Sequence, residues 1–149
     1  MSTNQNQALG IELRVSKKSC SIGEPIDATL ILNNQSNTAL TINKRMAINP
    51  WWMRELWEVK FDIVFPPGER ISATTLINRK EPDKEDFITL PSGEEIERTY
   101  ILTGYYWMEL LGIYEIRVIY HNSDDGRRFG LSAWMGEVIS APVHLRITE

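Results

Sequence analysis

The sequence predicts an all-β antiparallel sandwich of roughly seven to nine short strands, and three observations predict it. Apolar residues recur with a period of two in one stretch after another, the spacing that puts them on a single face of a strand. Clusters of Gly, Pro, Asn, Asp and Ser separate these stretches at fairly regular intervals. The connections are too short to carry crossover helices, so neighbouring strands are expected to run antiparallel.

Ile11, Leu13 and Val15 alternate with Glu12 and Arg14 and open the chain with a half-buried strand. After Gly23-Glu24-Pro25, the residues Ile26, Ala28, Leu30 and Leu32 supply the inward parity of a second strand, which Asn33 to Asn37 ends. Leu40 and Ile42 mark a short third. Trp57, Val59, Phe61, Ile63 and Phe65 then share one face, with Glu58, Lys60 and Asp62 opposite, until Pro66-Pro67-Gly68 stops the run. Ile71 to Ile77 is β-competent again, and Arg79 to Asp86 reads as a charged surface loop. Beyond Pro91-Ser92-Gly93, a strand runs from Glu95 to Leu102, with Ile96, Tyr100 and Leu102 in one parity. Tyr114, Ile116, Val118 and Tyr120 form the inward set of the next strand. Ser123-Asp124-Asp125-Gly126 reads as a hairpin turn, and Val143, Leu145 and Ile147 close the domain. Pro50 to Leu56 is the one place where a helical turn is expected.

No repeat or linker divides the 149 residues, so one domain spanning 1–149 is expected, with residues 1–8 disordered. A hydrophobic fraction of 42% supplies a core. The formal net charge of −4 argues against nucleic acid as a partner, because phosphate binding needs clustered Lys and Arg. Arg127-Arg128 is the nearest approach to a basic run, and Asp124 and Asp125 neutralise it. A lone Cys20 excludes an intrachain disulfide and suits a reducing compartment. The polar start from Met1 to Gln7 has no secretory pattern, and no apolar run approaches the length of about 20 residues that crosses a bilayer. The expectation is a cytoplasmic protein without membrane insertion.

Several segments, in order along most of the chain, carry a family resemblance. Gly23-Glu24-Pro25-Ile26 leading to Leu30 and Asn33-Asn34 resembles the "G-E-x-(hydrophobic)…L-x-N-N" opening of bacterial immunoglobulin-like domains. Leu90-Pro91-Ser92-Gly93-Glu94 is similar to their "L-x-P-G-E" turn, and Gly112-Ile113-Tyr114 with Tyr120 to their "G-x-Y" strand. Trp134, Gly136, Val138, Ser140, Pro142 and Val143 resemble a "W-x-G-x-V-x-S-x-P-V" ending found in uncharacterised relatives. The intracellular proteinase inhibitor family shares the opening and the "G-x-Y" strand, but its inhibitory loop is not matched here. The resemblance implies an immunoglobulin-like sandwich used as an adhesive, accessory or inhibitory module. Gly112 ahead of Tyr114 also suits a tyrosine corner, in which an inward phenol bonds upstream backbone; an ordinary core tyrosine is the alternative.

Nucleophilic catalysis needs a nucleophile beside a base. Cys20, His121 and His144 are the only thiol and imidazoles, and no nucleophile elbow, phosphate-cradling glycine loop or zinc-binding helix motif accompanies them. No catalytic residue, cofactor or metal ligand is therefore assigned, and the chain is expected not to be an enzyme. Asn122 to Gly126 offers oxygen ligands but lacks the spacing of a calcium loop. Glu94, Glu95 and Glu97 read as a solvated strand face.

The aromatic connections stand out. Trp51 and Trp52 are adjacent, and neighbours on an extended chain point in opposite directions, so both cannot easily enter one core. Tyr105-Tyr106-Trp107-Met108 and Trp134-Met135 lie in other inter-strand connections. Either these loops plug an open end of the sandwich or they form a surface for a partner, with Trp51, Trp52, Trp134 and Met135 as its residues. The functional expectation is a non-enzymatic module that binds another protein through these loops or through a sheet edge. Protease inhibition and carbohydrate binding are the alternatives.

Overall fold

Period-two patterning gives strands here because alternate side chains on a pleated chain can bury one face while wetting the other. The computed structural model describes residues 8–48, 58–71 and 82–149. Its strands are Leu9–Val15 (β1), Ser19–Ser21 (β2), Asp27–Asn34 (β3), Leu40–Asn43 (β4), Val59–Val64 (β5), Arg70–Ile71 (β6), Phe87–Leu90 (β7), Glu95–Ile101 (β8), Gly112–Asn122 (β9), Gly136–Ile139 (β10) and Val143–Thr148 (β11). One sheet has the order β1-β3-β8, and a larger one the order β2-β11-β9-β5-β6 with β10 also on β9. A separate pair joins β4 to β7. The chain is an all-β sandwich, as the alternation predicts.

The two sheets meet through the residues assigned inward. Leu13, Ala28, Leu30, Leu32 and Tyr100 come from the first sheet, and Phe61, Ile63, Tyr114, Ile116, Val118, Leu145 and Ile147 from the second, all in one buried cluster. The Phe61 and Tyr100 rings meet edge-on across the interface, 5.5 Å between centroids. Register keeps the apolar parities aligned: Phe61 lies opposite Val118, Ile63 opposite Ile116, and Leu145 opposite Tyr114. Burial of each such side chain contributes on the order of 1.5–3 kcal/mol.

β9 organises the larger sheet. β5 covers one of its edges, while β11 and β10 share the other, opposite 112–116 and 119–122 in turn. Between them the ladder passes through Ser140, whose N–H donates to Val118 O and whose Oγ accepts the Val118 N–H, both at 2.9 Å. Tyr114 makes the corner suggested by Gly112. Its hydroxyl donates to Leu110 O at 2.8 Å and accepts the Leu110 N–H at 3.0 Å. Gly112 holds φ at 126°, and a Cβ there would strike Pro66, so a side chain is excluded twice over.

Four expectations need correction. Eleven strands occur among the described residues rather than seven to nine. The additional ones, such as Ser-Cys-Ser in β2, are too short to show a period; β6 falls at the start of the β-competent stretch Ile71 to Ile77, of which 72–77 lie outside the described residues. β2 pairs with β11 in parallel, not antiparallel. Short connections constrain only strands adjacent in sequence, and these two come from opposite ends of the chain. Ser123 to Gly126 does not form a tight hairpin turn: β9 and β10 do pair antiparallel, but the connection runs from Ser123 to Met135 and includes the 3-10 turn Arg127–Phe129. Glu58 is not on a solvated face; it is 3% exposed. No helix among the described residues is long and apolar enough to cross a membrane.

Candidate functional site

The tryptophan-bearing connections divide into inward and outward parts. Trp51 and Trp52, together with the helical turn expected from Pro50 to Leu56, lie outside the described residues. Trp134 is a core residue, 5% exposed, and stacks on Tyr120 at 5.8 Å and 29°. It does not form part of an exposed partner-binding surface, contrary to expectation, because the segment around it packs against Thr41 and Tyr120. The Trp134 N–H donates to Thr41 O at 2.8 Å, and its carbonyl accepts Asn122 Nδ2 at 2.7 Å. Met135, the next residue, is 36% exposed.

The 105–108 segment alternates in the same way. Tyr106 and Met108 are buried, whereas Trp107 is 45% exposed. Tyr106 is held because its hydroxyl accepts the Phe61 N–H at 3.0 Å, and its ring sits edge-on to Phe61 at 6.1 Å. These segments therefore plug the sandwich with one residue and turn the next outward. Plug and surface are properties of successive residues.

The same edge of β5 receives a second connection. Val59 N–H donates to Ala47 O at 3.0 Å, and Ile48 bridges Val59 in parallel. Val59 and Phe61 are two residues apart, about 7 Å along a strand. The bonds that seat Tyr106, just before Trp107, and those that seat Ile48, just before residues 49–57, are therefore neighbours on one strand edge. Trp107 follows the first of these seats in sequence, and residues 49–57 follow the second.

Near that edge lies a buried polar chain that sequence reasoning missed. Glu58 Oε1 accepts the Ala47 N–H at 2.8 Å, Oε2 accepts Asn43 Nδ2 at 2.8 Å, and Arg45 Nε reaches both oxygens at 3.0 Å. Arg45 is itself largely buried. Asn43 Nδ2 also donates to Asn122 Oδ1 at 3.2 Å, and Asn122 continues to Trp134 O. The Tyr120 hydroxyl caps Asn43 O, and the Tyr100 hydroxyl caps Met46 O, each at 2.7 Å. Met46 holds a left-handed φ of 51°, unusual for a residue with a side chain. A carboxylate in a low-dielectric interior persists when paired and fully hydrogen-bonded, and this one has both. The network ties the Trp134 plug to both ends of the 49–57 connection. No local signal separates Glu58 from Lys60 and Asp62, so the sequence could not have revealed it.

Burial pushes the Tyr100 and Tyr120 hydroxyls up from the ordinary phenol range, with the Glu58 charge adding to the rise at both. The residues weighed for catalysis are dispersed. Cys20 is buried opposite Ile147, and burial raises its thiol. His121 pairs with Glu137 on β10, and exposed His144 lies 3.4 Å from Glu115. In the 123–126 connection the Asp124 carboxylate accepts the Gly126 N–H at 2.9 Å and pairs with Arg128 at 2.8 Å, while Asp125 accepts the Arg127 N–H. No group of three or more His, Cys, Asp or Glu among the described residues is placed to hold a metal ion.

No family model matches the chain. No curated protein matches it either. Among solved structures, the chain is similar to one described as "AvmM Catalyzes Macrocyclization in Alchivemycin A Biosynthesis". The identity is 11%, the alignment covers 98% of this chain and 90% of that one, and the TM-score is 0.46, a likeness that bears on neither activity nor substrate.

Proposed function

We propose that this chain is a non-enzymatic protein-interaction module of the bacterial immunoglobulin-like type, acting in the cytoplasm through its tryptophan-bearing connections. The observation that carries the reading is Trp107, exposed next to Tyr106, whose hydroxyl and ring are held by Phe61. An exposed indole on a fixed backbone binds with little loss of conformational freedom, which is why tryptophan anchors protein interfaces. The buried Glu58–Arg45 pair supports the same reading. Such a pair adds little net stability over an apolar core, but it fixes geometry. The lone, buried Cys20 suits a reducing compartment.

The test is affinity for a partner captured with the full chain as bait. The Trp51→Ala/Trp52→Ala/Trp107→Ala variant is expected to keep its unfolding midpoint and to bind at least about tenfold more weakly. Unchanged affinity in the folded variant would overturn the reading. An exposed indole face also supports sugar stacking, and tryptophan fluorescence during titration with oligosaccharides separates that possibility. Protease inhibition rests on the family resemblance alone.

A further inference from the structure

β8 forms one side of the three-stranded sheet, and its hydrogen-bond phase is fixed at both ends. Leu102 N–H donates to Ile26 O at 2.8 Å, and Asn34 N–H donates to Glu94 O at 2.9 Å. Even-numbered residues of β8 therefore bond to β3, and the N–H and C=O groups of Glu95, Glu97, Thr99 and Ile101 point away from it. Among the described residues no strand pairs with that outer edge.

An edge that no strand pairs among the described residues is a template for another strand, and its side chains say which kind. Glu95 and Glu97 stand on the exposed face opposite Asn33 and Ile31 of β3, with no ion-pair partner among the described residues. Arg14, on β1 beyond β3, bonds Glu12 at 3.0 Å and is only weakly influenced by the charges of Glu95 and Glu97. On the core side Ile96 packs against the cluster, and Arg98 lies over the Tyr100 ring and donates to Arg45 O. Two copies pairing antiparallel about Glu97 or Arg98 would set like charges opposite each other, which is unfavourable.

We propose that β8 accepts an added antiparallel strand from a partner protein, an extended segment with Lys or Arg opposite Glu95 and Glu97 and an apolar residue opposite Ile96. It rests on the interaction-module reading and gives that module a second contact, read by backbone pairing and charge. The added main-chain bonds supply affinity, and the alternating side chains supply selectivity.

The probe is a blocked heptapeptide, Val-Thr-Thr-Ser-Lys-Val-Lys, titrated into the full chain with amide hydrogen exchange followed by NMR. In the free protein the Glu97 and Thr99 amides should exchange fast while those of Arg98 and Tyr100 are protected. Saturating peptide should slow Glu97 and Thr99. Thr99→Pro removes an outward N–H and leaves the main-chain bonds to β3 in place, although it also deletes the 2.8 Å hydroxyl bond between Thr99 and Thr29. It should weaken binding about tenfold, as should Glu95→Lys/Glu97→Lys, which keeps that bond and turns two cross-strand pairs repulsive. The same peptide N-methylated on its edge-facing amides should not bind, a control independent of whether either variant folds. Glu97 and Thr99 already protected in the free chain, no binding of the peptide, or equal binding by the N-methylated peptide would overturn the proposal. None of these results touches the tryptophan reading, which is decided by Trp51, Trp52 and Trp107.

Discussion

Glu58 and Ala47 hold each other from both directions: the Ala47 N–H donates to Glu58 Oε1 at 2.8 Å, and the Glu58 N–H donates to Ala47 O at 3.2 Å. One is a side-chain contact and the other a backbone contact, so the strand start and the segment before Ile48 cannot slide past each other. The clasp closes the chain on itself at the two ends of residues 49–57.

Removing the carboxylate should therefore cost far more than removing an exposed charge. Glu58→Ala leaves Arg45 as a buried, uncompensated cation and is expected to cost about 3–5 kcal/mol, measured by urea unfolding. Adding Arg45→Ala should recover part of that loss, because the stranded charge goes with it. Additive losses in the double variant would show that the pair is not coupled.

Tyr114→Phe tests the corner. The phenol both donates to and accepts from Leu110, so its removal leaves two backbone groups to find new partners. The expected cost is about 1–3 kcal/mol, with the same unfolding slope as wild type. A stability within experimental error of wild type would reduce Tyr114 to an ordinary core residue.

The strands were legible because burial is periodic. Leu13, Leu30, Phe61, Ile63, Ile116 and Leu145 all lie inward where the alternation puts them, and the Tyr114 corner followed from a glycine two residues earlier. Glu58 was not legible, since its burial depends on residues 43–47 crossing over the start of β5. That crossing is a tertiary event, and the alternation Glu58, Lys60, Asp62 holds no trace of it. Trp134 failed for a related reason: alternation within a connection decides which aromatic turns inward, but not the phase. Within 105–108 and 134–135, inward and outward residues alternate; only packing on Phe61 and Tyr120 fixes which is which.

The buried phenols set a pH dependence. Tyr100 and Tyr120 have hydroxyls raised above the ordinary value of about 10, chiefly by burial. An acid raised in the folded state contributes stability that is fully present below its unfolded value and is lost as pH rises toward the folded one, because the unfolded chain ionises first. Unfolding free energy should therefore hold steady through neutral pH and fall above about pH 10. Ultraviolet titration should show these two phenols ionising only as the protein unfolds. The Tyr100→Phe/Tyr120→Phe variant should start less stable, since Met46 O and Asn43 O lose their donors, and should fall less steeply in alkali. A parallel fall in variant and wild type would assign the alkaline loss to other groups.

Trp107 and Trp134 should part company in every measurement, because one indole is exposed while the other is buried and stacked on Tyr120. Trp107→Ala removes an exposed side chain and should change stability by no more than about 0.5 kcal/mol. Trp134→Ala removes a stacked core ring and should cost about 3–5 kcal/mol. Iodide quenching reads the same contrast without unfolding. The fluorescence lost in Trp107→Ala should be mostly quenchable, and that lost in Trp134→Ala mostly shielded. Partner affinity then separates a plug from a contact. Trp107→Ala should weaken binding at unchanged stability, whereas Trp134→Ala should lower binding only as far as it lowers the folded population. A Trp134→Ala protein that is fully folded at low temperature and binds poorly would place Trp134 at the interface and require the plug to open.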